Sequence, residues 1–261
     1  MGVKTMSKVA LIVGGGRSLG AFLSKHLAKE GYAVAVGDLN KENAENVAAE
    51  IVADGGEAIA IAANACKEDE VAAMFKSVIE KYGRIDLLLY NAGVARSSKI
   101  TEFSLDDFKF ICDVNLNGYF LCAREAARVM IEKETAGSII VINSKSGRVG
   151  SKHNSGYSAS KFGAVGLTQS LALDLAEHHI RVNSMMLGNL LDSDMFESLI
   201  PQYAVKLGVP EDQVKQVYID KVPLKRGCRF QDVANVVTFY ASEKAEYLTG
   251  QSVNITGGQV M

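Results

Sequence analysis

Closely spaced cysteines are missing from this sequence. Cys66, Cys112, Cys122 and Cys228 lie far apart and form no CxxC pair, which argues against a disulfide framework or a zinc site; reduced, mostly packed thiols and no bound metal are expected. No sign of charge dominates. The 28 Lys and Arg are offset by 30 Asp and Glu, and the basic residues are scattered among acids, so no stripe is available to track the phosphates of a nucleic acid. Long apolar runs are absent too. The first such run, residues 9–13, is too short for a signal segment or a membrane-spanning helix, so no membrane partner is expected and the cytoplasm is the default compartment. The lack of a fixed-period repeat or low-complexity linker excludes a solenoid and a tethered second domain. Proline is scarce, and Pro201, Pro210 and Pro223 all fall in one stretch.

What is present is a chain of 261 residues, 48% of them apolar, enough to bury a large core as one domain over residues 1–261. Short apolar runs alternate with longer segments of helical spacing, the signature of βαβ units and a parallel sheet. Residues 9–13, 33–37, 58–62, 87–90, 139–143 and 182–186 are the expected strands, with 252–255 completing an edge. Amphipathic segments such as 44–53 and 71–82 are long enough to cross over and cover a face. The expected fold class is therefore α/β, a doubly wound parallel sheet with helices on both faces. The alternation breaks down in the proline-bearing stretch, residues 189–228, which reads as an inserted helical flap. Ligands in open α/β sheets sit beyond the carboxyl ends of the strands, so a flap there is placed to cover a substrate. A surface excursion without a role is the alternative.

Gly14, Gly15, Gly16, Arg17, Ser18, Leu19 and Gly20 join the first strand to the first helix. Glycines there permit a tight turn and close approach of the backbone to a pyrophosphate, while the helix start offers free N–H groups and the positive end of its dipole. A glycine-rich turn alone is weak evidence; its place between a strand and the apolar helix of residues 21–30 strengthens the dinucleotide reading. Asp38 ends the second strand, where a carboxylate can accept from both adenosine ribose hydroxyls and would repel a 2′-phosphate. NAD is favoured over NADP. Asp38 acting simply as a cap for the helix that begins near Lys41 is the other reading.

Tyr157 and Lys161, spaced i, i+4 at the start of a helical run that continues to about residue 176, share one helix face. A phenol is a poor base at neutral pH unless a nearby cation stabilises its phenolate, and Lys161 is such a cation. An ordinary exposed pair has the same spacing. Ser144 ends the fifth strand, Asn115 precedes the helical run 119–131, and Asn91, Ala92 and Gly93 follow the fourth strand. Each alone is compatible with a cap, a helix polar group or a turn; together they put polar groups beyond the strands where ligands bind.

These motifs, in this order and spacing, resemble the short-chain dehydrogenase/reductase family over essentially the whole chain. The resemblance implies a single Rossmann-type domain in which Tyr157 is the general acid/base. Lys161 lowers its pKa and holds the nicotinamide ribose, Ser144 orients the reacting oxygen, and Asn115 supports a water relay. It further implies cofactor contacts from the glycine-rich turn, from Asn64 and Ala65 after the third strand, from the Asn91 to Gly93 turn and from Gly188. A homotetramer packed on helices 119–131 and 157–176 is also implied. Some positions depart from the family pattern. Val13 and Ser18 stand where Thr and Gly are usual, Asn64 where an aspartate often binds the adenine amino group, Leu187 where the family has Pro, and Asp192 near the place of a threonine.

Lys145, Arg148, Lys152 and His153 crowd the segment between Ser144 and Tyr157, an unusual concentration of cations beside the expected reaction centre. A sugar phosphate would need such partners, although loop lysines commonly just face solvent. Lys145 and Lys152 are the first candidates, with His153, Lys225 and Arg226 behind them; Asn154 and Asn189 are candidates for polyol hydroxyls. The family resemblance extends through residues 142–147, 151–157, 186–191, 221–228 and 256–261 to members that interconvert a hexitol phosphate and a ketose phosphate at C2 with NAD. It implies a small sugar phosphate as substrate. Two other readings stay open: a dehydrogenase of an unphosphorylated polyol or other secondary alcohol, and a non-catalytic NAD-binding regulator. The complete set of Ser144, Tyr157 and Lys161 counts against the second.

Overall fold

The computed structural model describes residues 7–261. Its centre is a parallel sheet of β1 (Val9–Val13), β2 (Ala33–Asp38), β3 (Ala58–Ala62), β4 (Leu87–Tyr90), β5 (Ser138–Ser144), β6 (Arg181–Leu187) and β7 (Ser252–Ile255) in the order β3-β2-β1-β4-β5-β6-β7. The expected strands fall within one residue of these bounds. Their near-continuous apolar runs are legible because crossover helices cover both faces, so alternate residues have no wet side to turn towards. Leu11, Leu88 and Val141 belong to one core cluster and Ile12, Leu89 and Ile142 to the other, so successive residues of a strand feed opposite faces.

The helices are α1 (Ser18–Lys29), α2 (Lys41–Ala53), α3 (Glu68–Tyr82), α4 (Leu105–Cys112), α5 (Gly118–Glu132), α6 (Ser155–Leu175), α7 (Asp194–Leu207), α8 (Glu211–Asp220) and α9 (Phe230–Ala241). Sequence patterning did not identify α4 or α9. Ile111 is the one buried residue of α4, too few to trace a stripe, and α9 is rich in Val233, Val236, Val237, Phe239 and Tyr240, the composition of a strand. A π turn, Asp113–Asn117, interrupts the otherwise continuous rod from α4 to α5.

The chain runs outward from β1 to β2 and β3, then returns to place β4 on the other side of β1. That reversal opens a crevice at the carboxyl ends of β1 and β4. Above it stand α7 and α8, which share a small core of Leu191, Phe196, Val214 and Tyr218. Ser193 caps α7 by accepting from the Phe196 N–H at 3.2 Å, and Gly208 ends it in the left-handed region at φ 70°. The irregular stretch read as a helical flap is therefore two helices, α7 capped at both ends, with their own apolar seam.

Candidate active site

A cavity of about 790 Å3 occupies the crevice and runs from Asp38 past Tyr157 to α7 and α8. Its first wall is the glycine turn. The Gly14 and Gly15 N–H groups donate to the Gly37 carbonyl at 2.8 and 3.0 Å, and Asn91 Nδ2 donates to the Gly14 carbonyl at 2.7 Å. A Cβ on Gly20 would fall 1.9 Å from that same carbonyl, so the turn lies directly on α1 and a side chain cannot enter. At the start of α1 neither a side-chain cap nor a first-turn acid is present, leaving N–H groups for an anion. Ser18 adopts φ 49°, the left-handed conformation in which glycine is usual and a Cβ is strained. Its hydroxyl accepts from the Asp194 N–H of α7 at 3.4 Å. These features fit the pyrophosphate of a dinucleotide.

Asp38 accepts from the Gly16 N–H through Oδ2 and from the Asn40 N–H through Oδ1, both at 2.9 Å. Its carboxylate is thus fixed at the mouth of the cavity, with the exposed Arg17 beside it. The helix-capping alternative for Asp38 is not what is seen: Asn40 caps α2, accepting from the Asn43 N–H at 3.1 Å. Asn64 lines the same end with Ala65, but its Oδ1 already accepts from the Cys66 N–H at 2.9 Å.

The reacting end is built by β5 and α6. Ser144 lies at the last position of β5, and its hydroxyl accepts from the Ser146 N–H at 3.1 Å. Tyr157 lies in the first turn of α6, its phenol pushed up by burial and drawn back by a hydrogen bond with the Ser144 hydroxyl. Lys161 is buried, with Nζ donating to the Ile142 carbonyl at 3.1 Å and lying 5.6 Å from the centre of the Tyr157 ring. Burial lowers its ammonium to about 8. The i, i+4 spacing does put both on one face, but charge alone does not set the phenol: desolvation opposes the cation.

Asn115 sits behind this wall in the π turn. Its Oδ1 accepts from the Val94 N–H at 2.8 Å, and its Nδ2 donates to the Val94 carbonyl at 3.0 Å and to Ser160 Oγ at 3.1 Å. It therefore ties the loop after β4 to α6. Asn143, not singled out from sequence, does the same for β5, β6 and α6: Nδ2 donates to the Lys161 carbonyl and to Ser184 Oγ, and Oδ1 accepts from the Ser144 N–H at 2.8 Å. Gly16, Gly20 and Asn115 are not in the cavity wall; Gly14, Ser18, Leu19, Asn91, Ala92, Gly93 and Gly188 are.

Of the expected substrate contacts, Lys145, Lys152, Asn154 and Asn189 reach the cavity and His153 does not. His153 instead takes φ 60°, and its carbonyl accepts from the Ser98 N–H. Arg148 donates to the Ser252 carbonyl, Arg226 pairs with Asp232 at 2.5 Å, and Lys225 Nζ donates to the Asp220 carbonyl. Asp192 turns outward to Lys215 at 3.6 Å, and Ser193 lines the cavity in its place. The structure adds Lys206, Lys221, Tyr203, Tyr218 and Gln259. No local spacing announces these, because they come from the ends of α7 and α8 and from the turn after β7.

A doubly wound sheet with this serine, tyrosine and lysine at its crevice defines a nicotinamide-dependent oxidoreductase, and the short chain dehydrogenase family model matches residues 8–204. The chain belongs to the short-chain dehydrogenase family. The sorbitol-6-phosphate 2-dehydrogenase of Escherichia coli (strain K12) is 62% identical over 258 residues, covering 98% of this chain and all of that protein. The crystal structure of the Erwinia amylovora sorbitol-6-phosphate 2-dehydrogenase superposes with a TM-score of 0.95 at 59% identity, over 97% of this chain and 100% of that one. At 30% identity and a TM-score of 0.92, the chain is also similar to an NAD+-bound xylitol dehydrogenase, over 98% of this chain and 100% of that one. An actinorhodin polyketide ketoreductase with NADPH has the same identity and TM-score, over 97% of each chain.

Proposed function

We propose that this protein interconverts D-sorbitol 6-phosphate and D-fructose 6-phosphate by hydride transfer at C2, with NAD as its cofactor. The observation that carries the reading is a single cavity in which Ser144, Tyr157 and Lys161 stand between a dinucleotide-shaped turn and a flap lined with lysines. The long identity with the two sorbitol-6-phosphate dehydrogenases, which includes the flap, supports the same substrate. Asp38 supports NAD: held by two backbone N–H groups, its carboxylate cannot swing away from a 2′-phosphate.

In oxidation Tyr157 takes the proton of the C2 hydroxyl while Ser144 holds that oxygen, and in reduction Tyr157 returns the proton. A bound nicotinamide would supply the hydride acceptor for C2 in oxidation and the hydride donor in reduction. Lys161 would hold the nicotinamide ribose and stabilise the phenolate, and Asn115, through the Val94 backbone it holds, supports a water relay. Residues 189–228 act as the substrate flap of a single domain. Exposed Phe110, Phe120, Phe162 and Leu173 on α4, α5 and α6 support a homotetramer built on those helices. Four free cysteines are in keeping with the cytoplasm.

The test is NADH or NADPH formation with sorbitol 6-phosphate and with sorbitol. The expected result is turnover with NAD and the phosphorylated substrate at a kcat/KM at least tenfold above either exchange. Equal use of sorbitol removes the substrate reading, and a preference for NADP removes the cofactor reading.

A further inference from the structure

The two ends of the cavity carry opposite chemistry. The adenosine end is closed by the Asp38 carboxylate, whereas the flap end gathers Lys145, Lys152, Lys206 and Lys221. Every charged group that acts on Lys145 is another lysine, Lys221 and Lys206, and every one that acts on Lys206 is again a lysine, Lys221 and Lys152. By contrast Lys215, also on the flap, is neutralised: it meets Glu197 at 2.5 Å and Asp192 at 3.6 Å. Among the described residues, Lys145, Lys152, Lys206 and Lys221 have no acidic partner within 4.0 Å.

Neutral groups hold them instead. Lys145 Nζ donates to Gln259 Oε1 at 2.7 Å, and Lys206 Nζ donates to Ser151 Oγ at 3.1 Å. Each ammonium has three donors, so each keeps donors free. The Tyr218 ring lies 6.0 Å from Lys145 Nζ and 5.3 Å from Lys221 Nζ, and the Tyr203 ring lies 5.4 Å from Lys206 Nζ. The aromatic faces orient the amines without discharging them. Burial and mutual repulsion depress Lys145 and Lys206 to about 8, which marks a site where positive charge is held against its own repulsion. Tyr203 and Tyr157 line the same cavity, so this cluster adjoins the reaction centre.

We infer that Lys145, Lys206 and Lys221 form the subsite for the phosphate monoester of the substrate, and that Lys206 and Lys221, carried on the flap, make the enzyme select a phosphorylated polyol. The inference rests on the sugar-phosphate reading above. A dianion bridging the three amines would replace repulsion with charge-assisted hydrogen bonds. It would also join α7 and α8 to the segment after β5, so binding the phosphate docks the flap.

The experiment is steady-state kinetics of Lys206→Met and Lys221→Met on sorbitol 6-phosphate and on sorbitol, with inorganic phosphate as a competing probe. Loss of one charged hydrogen bond should raise KM for sorbitol 6-phosphate about 10- to 100-fold. The kcat/KM for sorbitol should stay within about threefold, and competitive inhibition by inorganic phosphate should weaken in parallel. Lys206→Arg should restore most of the discrimination, and thermal melting of each variant separates lost binding from lost fold. An equal loss on both substrates, or unchanged discrimination in both methionine variants, overturns the subsite. A wild-type enzyme that does not prefer sorbitol 6-phosphate overturns instead the function on which it rests.

Discussion

Tyr157 lies between opposed influences: burial favours the neutral phenol, while the hydrogen bond with the Ser144 hydroxyl favours the phenolate; Lys161 Nζ lies 5.6 Å from its ring centre. Removing the hydroxyl leaves the ring, and hence the packing, in place. Tyr157→Phe should lower kcat by about 10^2- to 10^4-fold, the range for a positioned general acid/base, while NADH titration by fluorescence gives an affinity close to wild type. A kcat within tenfold of wild type would refute the assignment. The catalytic residues were legible in the sequence because their relation is local, one helical turn for Tyr157 and Lys161 and one strand end for Ser144. Lys206 and Lys221 were not, since their meeting with Lys145 depends on how two flap helices fold over the sheet.

Elements meet at Asn143. One buried amide joins the end of β5 to β6 and to the backbone of α6 at Lys161, with all three of its hydrogen bonds inside the fold. Asn143→Ala removes the side-chain acceptor of the Ser144 N–H and the second donor to the Lys161 carbonyl, at a cost of about 1–3 kcal/mol. Chemical denaturation should show that loss, and kcat should fall with it because Ser144 and Lys161 are no longer held in register. A stability loss with unchanged kcat would assign Asn143 to the fold alone. The sheet was readable at this scale because strands buried on both faces write uninterrupted apolar runs. The π turn at Asp113–Asn117 was hidden, since a wider turn inside a helix changes hydrogen bonding without changing composition. Helix α9 was hidden by valines and aromatics that read equally well as a strand.

For the whole molecule, the lysine end of the cavity links activity to pH. Lys145 and Lys206 lose their protons near pH 8, whereas a phosphate monoester is already a dianion there. Raising the pH from 7 to 9 should therefore raise KM for sorbitol 6-phosphate, with little change in KM for sorbitol; parallel curves for the two substrates would contradict this. Stability should move the other way. Unfolding returns these amines to the ordinary lysine value of 10.5, so from about pH 8 to 10 the unfolded chain binds more protons than the folded one and stability rises with pH. Lys206→Met, having no proton to gain, should melt above wild type at pH 7, and the difference should close towards pH 10.

The cavity wall draws on residues from Val13 to Gln259, so no contiguous fragment of the chain contains the site. Parallel strands pair across long sequence separations and form late. In refolding from denaturant, helical signal should therefore return before turnover does, and the enzyme's own reaction becomes a clock for assembly of the whole cavity.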